Sequence, residues 1–209
     1  MPKGSEELTH SRKEEIIRAC ASLYETISFK DITIKEIGAA TSFTRTSIYN
    51  YFQTKEEIFL ALFQQEYEEW ATELDQVAES NETLTSDELA QALAHSLEKR
   101  GMLLKLLSMN LYDMEENSRV ERLTSFKTAY GNSIRAVGRL LEKFCPQMDT
   151  AEQQRFIYAF FPFIYGIYPY TTVTEKQRAS MEAAGVNFVY LSVYEMVFDC
   201  AKTLLAGIQ

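Results

Sequence analysis

Glycine and proline are scarce in this sequence, with 8 glycines and 4 prolines among 209 residues. An all-β sandwich or barrel needs a turn about every 8–12 residues and builds many of those turns from these two residues, so this class of fold is disfavoured. Disorder is excluded because 46% of the residues are hydrophobic, which is enough for the core of one large domain or two small ones. The composition therefore favours helices.

Residues that commonly carry chemistry are also few. The three cysteines, Cys20, Cys145 and Cys200, show neither metal-ligand nor disulfide spacing. The chain has two histidines and lacks HExxH, GxSxG and glycine-rich phosphate-loop motifs. We therefore expect no metal, no cofactor and no enzymatic activity. The cysteine usage predicts a cytoplasmic location, and residues 1–15 contain no apolar stretch of a secretory signal, so export is not expected.

One uncharged run, residues 156–174, is long enough to cross a membrane. Four tyrosines, three threonines, two prolines and a glycine dilute it, and the net charge of −9 offers no positive flank. A buried helix or a subunit interface is therefore favoured over a membrane span.

Apolar residues recur at helical spacing through most of the chain, and no stretch alternates as a strand does. The sequence therefore predicts an all-α protein of roughly nine helices. Outside residues 33–59, the predicted helices begin at Ser11, Ser86, Met102, Ser118, Thr150 and Glu175, and the last continues after Gly185 through Val186 and Val189 to the end of the chain.

Capping boxes support several of these starts, since Ser or Thr followed three residues later by Glu or Gln satisfies backbone donors at a helix N-terminus. Chance alone would give about as many matches, so their placement before apolar runs is what counts. The seven predicted boxes are Ser11/Glu14, Thr33/Glu36, Thr54/Glu57, Thr85/Glu88, Ser118/Glu121, Thr150/Gln153 and Thr174/Gln177.

Residues 33–59 pack three helix starts, at Thr33, Thr44 and Thr54, into one short segment. Small residues at 38–40 allow close approach of another backbone. The helix predicted from Thr44 should turn Ile48 and Phe52 inward and its polar residues outward. Two short helices joined by about three residues form a helix-turn-helix, whose second helix suits the major groove of DNA.

This segment resembles the N-terminal domain of the TetR family of bacterial transcriptional regulators. The resemblance covers about a quarter of the chain and rests on Thr33-Ile34-Lys35-Glu36-Ile37, Ala40 and the run from Ile48 to Phe59. It implies a three-helix DNA-binding domain over residues 1–55 and a larger helical ligand-binding and dimerisation domain over residues 56–209. It also implies a homodimeric regulator of a palindromic operator, most often a repressor, that a small ligand releases.

The resemblance carries DNA-contacting roles to matching positions. It assigns phosphate contacts to Thr33, Thr44, Tyr49 and Lys55, and base contacts to Arg45, Thr46 and Asn50, with Ser47 and Tyr51 as further members of the predicted interface. Tyr49 and Tyr51 can equally be packing residues, and Asn50 can point away. Because a cation at a helix start opposes the helix dipole, an outside partner is favoured for Lys55 over a purely local role.

One departure from the family's pattern matters. Ser42 stands where the family usually carries glycine, so the turn is either strained by about 1 kcal/mol or slightly different. Charge gives weak support, since residues 1–55 carry a net +1 and residues 56–209 a net −10, an asymmetry of the sign that DNA binding needs. DNA binding must therefore rely on a local patch and weaken steeply with salt.

The second half should hold the dimer and a ligand. The apolar helix around 156–170 and the stripe over 186–204 are the predicted dimer interface, although both can also lie inside a monomer. A small, largely apolar ligand is expected among aromatic and methionine side chains, which can also be simple core. The predicted ligand-binding residues are Phe63, Tyr67, Trp70, His95, Met109, Tyr112, Phe126, Tyr130, Phe160 and Tyr165.

The competing predictions are a helical carrier of apolar ligands that does not bind DNA, and a regulator that lacks any effector. If an effector exists, the helix from Thr54 is the natural lever, because it begins beside the predicted DNA contacts and continues to Trp70.

Overall fold

A computed structural model describes residues 3–109 and 111–207 as helices joined by turns, with no strand in these ranges. The all-α prediction is confirmed, with twelve helices rather than roughly nine. They are α1 (Lys3–Thr26), α2 (Ile34–Ala39), α3 (Arg45–Ile48), α4 (Lys55–Ser80), α5 (Ser86–Glu98), α6 (Gly101–Leu107), α7 (Leu111–Glu116), α8 (Val120–Phe144), α9 (Thr150–Gly166), α10 (Tyr168–Thr171), α11 (Glu175–Ala183) and α12 (Val193–Ala206), with a 3₁₀ turn at Phe29–Asp31.

The helices divide into two compact units. The described residues of 1–66 and 110–130 form the first unit, and those of 67–109 and 131–209 form the second. The division differs from the expected boundary at residue 55, because residues 111–130 group with the N-terminal part of the chain. Helices α4 and α8 each contribute residues to both units.

The core of the first unit is aliphatic and aromatic. Ile16 and Cys20 of α1, Ile37 of α2 and Ile48 after the turn are fully buried. Phe59 of α4 completes this core, with edge-on ring contacts to Tyr24 at 5.1 Å and Phe29 at 4.8 Å between centroids. This core holds the short helices α2 and α3 against the longer α1 and α4.

The core of the second unit is built on α5, α9 and α12. Helix α12 packs against α5 and α9, and Leu93 of α5 and Val197 of α12 are fully buried. Trp70 of α4 is also fully buried, and its indole N–H donates a hydrogen bond to Ser96 Oγ at 3.0 Å. No helix in the described ranges has the length and apolarity needed to span a bilayer.

The predicted helix starts are confirmed in part. The Thr33 hydroxyl accepts hydrogen bonds from backbone N–H groups at the start of α2. Complete capping boxes form at Thr85/Glu88 and Thr174/Gln177. Thr54 accepts from the backbone N–H of Glu57, whose own carboxylate turns elsewhere.

Two other predicted starts and one predicted box are wrong. Ser11 lies inside α1, which begins at Lys3. Helix α9 begins at Thr150 as predicted, but its box is Asp149/Glu152, one residue before the predicted pair. Ser118 donates to the carbonyl of Met114 near the end of α7 and does not begin α8.

The prediction for the last helix is also wrong. Helix α11 ends at Ala183, Gly185 adopts a left-handed conformation with φ of +67°, and residues 186–191 are not helical. Val186 and Val189 therefore lie exposed outside any helix. Helix α12 starts only after a capping box of Ser192 with Glu195, so the stripe predicted over 186–204 is helical from Val193 onwards.

Candidate nucleic-acid interface

Helices α2 and α3 approach each other at Gly38. A Cβ atom added there would lie 3.2 Å from the Cα and 3.3 Å from the Cβ of Arg45. Such spacing is tighter than ordinary van der Waals contact, so close packing rather than backbone angles favours glycine at this position. The approach sets where α3 begins relative to α2.

Helix α3 separates its side chains as the sequence predicts. Ile48 and Phe52, four residues apart, are fully buried and anchor the segment to the core. On the other side Arg45, Thr46 and Tyr49 are exposed. Asn50 is also exposed and Ser47 is half-buried. The segment presents a cationic and polar surface of the kind that reads base edges, and contact with DNA stays a prediction.

Arg45 and Tyr49 form a pair on this surface. The Nη2 of Arg45 donates to the hydroxyl of Tyr49 at 3.3 Å, and the guanidinium lies 5.9 Å from the centre of the tyrosine ring. A cation over an aromatic face is attracted by the ring quadrupole. The pair restricts the guanidinium before any partner arrives.

The two threonines at the helix starts differ. Thr33 Oγ1 accepts from the backbone N–H groups of Lys35 at 3.2 Å and Glu36 at 3.5 Å, and its side chain is exposed. Thr44 occupies the N-cap position of α3 without a side-chain capping bond, which corrects the prediction that it caps this helix. Its hydroxyl lies 3.1 Å from that of Ser47 and is exposed.

Lys55 has partners within the protein that the sequence did not indicate. Its ammonium donates to the carbonyl oxygens of Phe29 at 2.8 Å and Ile32 at 3.1 Å, and lies 4.2 Å from the centre of the Phe29 ring. These contacts account for the Lys55 ammonium without an outside partner, and they do not exclude one. The predicted phosphate contact of Lys55 is untested.

Tyr51 is half-buried, which is compatible with either role predicted from the sequence, a packing residue or a member of the DNA interface. Its hydroxyl accepts from Nη1 of Arg12 at 3.2 Å, and its ring centre is 6.5 Å from that of Phe43. These contacts link α1 to the residues that flank α3.

Ser42 does not strain the turn. No non-glycine residue in the described ranges has a positive φ, so the strain expected from a left-handed Ser42 is absent. The carboxylate of Glu15 binds the Ser42 backbone N–H and accepts from Ser42 Oγ at 3.0 Å. These two hydrogen bonds hold the pKa of Glu15 below its ordinary value. No local pattern in the sequence indicates this contact between residues 27 positions apart.

The predicted ligand-binding residues fall into both units. In the first unit, Phe63 and Phe126 are buried with ring centres 5.0 Å apart, and Tyr130 is half-buried. Tyr112 is 83% exposed, because the six-residue helix α7 turns it to the surface. These placements make Phe63 and Phe126 core residues of this unit and leave Tyr112 outside that core.

In the second unit the polar groups of the predicted set have partners. Tyr67 is fully buried with its hydroxyl 3.0 Å from that of the half-buried Tyr165, and the indole of Trp70 is occupied by Ser96. His95 is exposed beside the carboxylate of Glu98 at 2.6 Å. Phe160 is buried and Met109 is half-buried. A ligand contact at these positions stays a prediction.

Two family models match the chain. Residues 16–62 match the model described as bacterial regulatory proteins, tetR family. Residues 64–209 match the model described as tetracyclin repressor-like, C-terminal domain. Together they cover both halves of the chain.

A search of individual proteins also finds a transcriptional regulator. The chain is 29% identical over 97 residues to the uncharacterized HTH-type transcriptional regulator YfiR of Bacillus subtilis (strain 168), a match that covers 44% of this chain and 47% of that protein. It thus spans about half the length of that relative.

Two solved structures resemble the whole chain. A TetR-family transcriptional regulator from Mesorhizobium loti MAFF303099 superposes with a TM-score of 0.63 at 13% identity, over 95% of this chain and 97% of that one. A transcriptional regulator of the TetR/AcrR family from Thermobifida fusca YX-ER1 gives 0.61 at 16% identity, over 95% and 99%. Identities this low show the shared fold alone.

Proposed function

Because the chain belongs to the TetR family of bacterial regulatory proteins, we propose that it is a sequence-specific transcriptional repressor. It binds a palindromic operator as a homodimer, and a small, largely apolar ligand releases it. The observation that carries the proposal is the division of the α3 segment into buried Ile48 and Phe52 and exposed Arg45, Thr46, Tyr49 and Asn50. An anchored helix with an exposed cationic face is what major-groove reading requires.

The residues divide into two roles under this proposal. Arg45, Thr46 and Asn50 read bases, because a guanidinium matches the two acceptors of guanine, an amide matches adenine and a threonine can contact either base pair. Thr33, Thr44, Tyr49 and Lys55 contact phosphates, and Ser47 and Tyr51 complete the interface. Tyr49 also holds the guanidinium of Arg45 in place through their 3.3 Å hydrogen bond.

A single recognition helix reads only a few base pairs, so specificity needs two of them about 34–36 Å apart on successive major grooves. Helices α9 and α12 are the proposed dimer interface. They pack on each other within the second unit, and α9 exposes Tyr158 at 70% of its surface. A large aromatic side chain left in solvent within the apolar part of this helix, from residue 156 onwards, favours cover by a second copy.

Release by a ligand requires a higher affinity for the arrangement of the dimer that does not fit the operator. Helix α4 is the proposed lever, since it is unbroken from Lys55 to Ser80 and carries Tyr67 and Trp70 from the predicted ligand set. A small tilt of a rigid helix is enough to move both recognition helices out of register.

Selection from random double-stranded DNA, followed by fluorescence anisotropy with the selected duplex, tests DNA binding. We expect the wild type to select a palindrome, and Arg45→Ala to lose about 1–3 kcal/mol of preference at one position of each half-site. Arg135→Ala, which removes an exposed arginine of α8, is the control and should keep the wild-type preference. Failure of the wild type to bind any duplex at low ionic strength would refute the proposal.

A thermal-shift screen of small aromatic and aliphatic compounds tests the effector. A compound that raises the melting temperature and lowers operator affinity is the expected result. Spin labels at Lys35→Cys, an exposed position of α2, then report the distance between the two recognition domains. An unchanged distance after the compound has released the operator would exclude the proposed tilt of α4.

A further inference from the structure

The turn that joins α3 to α4 is held by residues just before and within the start of α8. Glu57 is the centre of this contact, with only 1% of its side chain exposed. Its carboxylate accepts from the backbone N–H of Gln53 at 2.9 Å. It also accepts from the backbone N–H of Arg119 at 3.2 Å, and from Nε at 2.6 Å and Nη2 at 2.7 Å of the same arginine. A two-pronged arginine contact of this kind fixes direction as well as distance.

Two further hydrogen bonds reinforce this contact. Arg122 Nη2 donates to the backbone carbonyl of Tyr51 at 2.8 Å, and its guanidinium lies 5.0 Å from the centre of the buried Phe52 ring. Thr54 Oγ1 donates to the backbone carbonyl of Asn117 at 2.9 Å. We call this set the clasp, and its members are Tyr51, Thr54 and Glu57 on one side and Asn117, Arg119 and Arg122 on the other.

Helix α3 needs such support because it is a single turn of four residues, too short to be stable alone. On its N-terminal side, α3 is positioned by the close approach at Gly38. On its C-terminal side, the residues that follow it are those that the clasp holds. The contacts reach the backbone of the turn, through the Tyr51 carbonyl that accepts from Arg122 and the Gln53 N–H that donates to Glu57, so they restrain the path of the chain itself.

We propose that Arg119 and Arg122 are positioning residues for DNA binding, an inference that rests on the proposed function. They act through the clasp. It holds the end of the recognition segment, residues 45–52, so that Arg45 and Tyr49 enter the major groove of DNA in one orientation. Neither arginine needs to contact DNA for this role. The start of α8 therefore contacts the residues that follow α3, in addition to α4, which continues directly from them.

Positioning differs measurably from a direct phosphate contact. Each phosphate contact adds about 0.9 to the slope of log affinity against log salt for duplex DNA, and its loss weakens all sequences alike. A positioning residue leaves that slope unchanged. Its loss reduces the fraction of molecules in the binding-competent arrangement, and the apparent Kd for the operator rises by the inverse of that fraction.

The experiment compares Arg119→Ala, Arg122→Ala and Arg122→Lys with the full-length wild type. Fluorescence anisotropy gives Kd for the duplex selected by the wild type and for a scrambled duplex across a salt series. Circular dichroism at the assay temperature confirms that each variant is folded. Arg139→Ala is the control in the same helix, because it breaks a two-pronged arginine contact with a more exposed carboxylate, that of Asp75 at 2.6 Å.

We expect each alanine variant to lose about tenfold in operator affinity, or about 1.4 kcal/mol. Affinity for the scrambled duplex and the salt slope should stay at the wild-type values. Arg122→Lys should recover most of the loss, since an ammonium can still donate to the Tyr51 carbonyl. Arg139→Ala should bind as the wild type does.

Three results would overturn the inference. Unchanged operator affinity in folded Arg119→Ala and Arg122→Ala would show that the clasp does not matter for DNA. A smaller salt slope with equal losses on both duplexes would make the arginines direct phosphate contacts. An equal loss of operator affinity in Arg139→Ala would show that the effect comes from a general loss of stability and not from the clasp. If the wild type itself binds no duplex, the proposed function fails instead, and this result is distinct from the other three.

Discussion

Lys55 illustrates how much one side chain depends on a distant backbone. The 3₁₀ turn at Phe29–Asp31 is followed by Ile32, and the carbonyl oxygens of Phe29 and Ile32 both accept from the Lys55 ammonium. A hydrogen bond to a charged donor contributes about 1.5–3 kcal/mol where water is partly excluded. Lys55 thus joins the start of α4 to the turn that precedes α2.

We expect Lys55→Ala to lower the free energy of unfolding by about 1–3 kcal/mol, because two carbonyl groups lose their partner. If Lys55 also contacts a phosphate, operator and scrambled DNA should weaken equally. Urea unfolding and anisotropy measure the two effects separately. Lys55→Met is the control that keeps the apolar stem over Phe29, and equal stability of Lys55→Met and wild type would disprove the role of the ammonium.

Glu57 predicts a dependence of stability on pH. Burial acts to raise the pKa of this carboxyl, but hydrogen bonds from Arg119 and Gln53 outweigh it and hold the pKa below its ordinary value of 4.5. A carboxyl whose pKa is lower in the folded state stabilises the fold above the unfolded pKa. This stabilisation is lost as pH falls through the folded pKa.

Glu57→Gln should therefore cost about 1–3 kcal/mol of unfolding free energy at pH 7, where the wild-type carboxylate is charged. The difference between the two proteins should shrink as pH is lowered from 5 to 3. Chemical denaturation at several pH values measures it. A difference that stays constant over this range would mean that ionisation of Glu57 does not contribute.

At the scale of elements, the spacing of α2 and α3 depends on one missing methyl group. A Cβ at Gly38 would meet the backbone of Arg45, which cannot rotate away as a flexible side chain can. We expect Gly38→Ala to cost about 1–3 kcal/mol of stability through overpacking, and to reduce operator affinity by displacing α3. Urea unfolding and anisotropy on the same preparation check both.

Gly138, in α8, is the matched control for this change. An added Cβ there meets nothing within 4 Å. Because alanine is a better helix former than glycine, Gly138→Ala should raise stability by up to about 1 kcal/mol and leave operator affinity unchanged. Similar behaviour of the two alanine variants would show that close packing at Gly38 is not what positions α3.

For the whole molecule, charge opposes DNA binding. A chain with a net charge of −9 is repelled by DNA at long range, and the recognition segment must overcome this with a local patch. A dimer doubles the number of phosphate contacts and hence the salt dependence of affinity. Dimerisation and DNA binding are therefore expected to fail together.

Tyr158 tests this link. Placing a charge in a desolvated interface is costly, so we expect Tyr158→Glu to shift the protein from dimer to monomer and to weaken operator binding strongly. Light scattering coupled to size-exclusion chromatography gives the mass over a range of concentrations. Tyr112→Glu, at a tyrosine 83% exposed on α7, is the control and should keep the wild-type mass. A dimer that persists in Tyr158→Glu would remove α9 from the interface.

The sequence by itself determined the helical class, the place of the helix-turn-helix and the inward side of α3. All of these depend on spacing between near neighbours, as with Ile48 and Phe52 four positions apart. It determined helix starts less well, since several residues compete locally for the same backbone donors, as Asp149 does with Thr150.

Only the tertiary structure decided the partners of Glu15, Lys55 and Glu57. Glu57 and Arg119 stand 62 positions apart, and nothing in either local sequence specifies the other. Such pairs form because folding brings two segments together, and a buried carboxylate must then find donors wherever the chain supplies them. The periodicity of apolar residues that forms a helix therefore depends on near neighbours in the chain. The contacts that orient α3 form only once distant segments have packed.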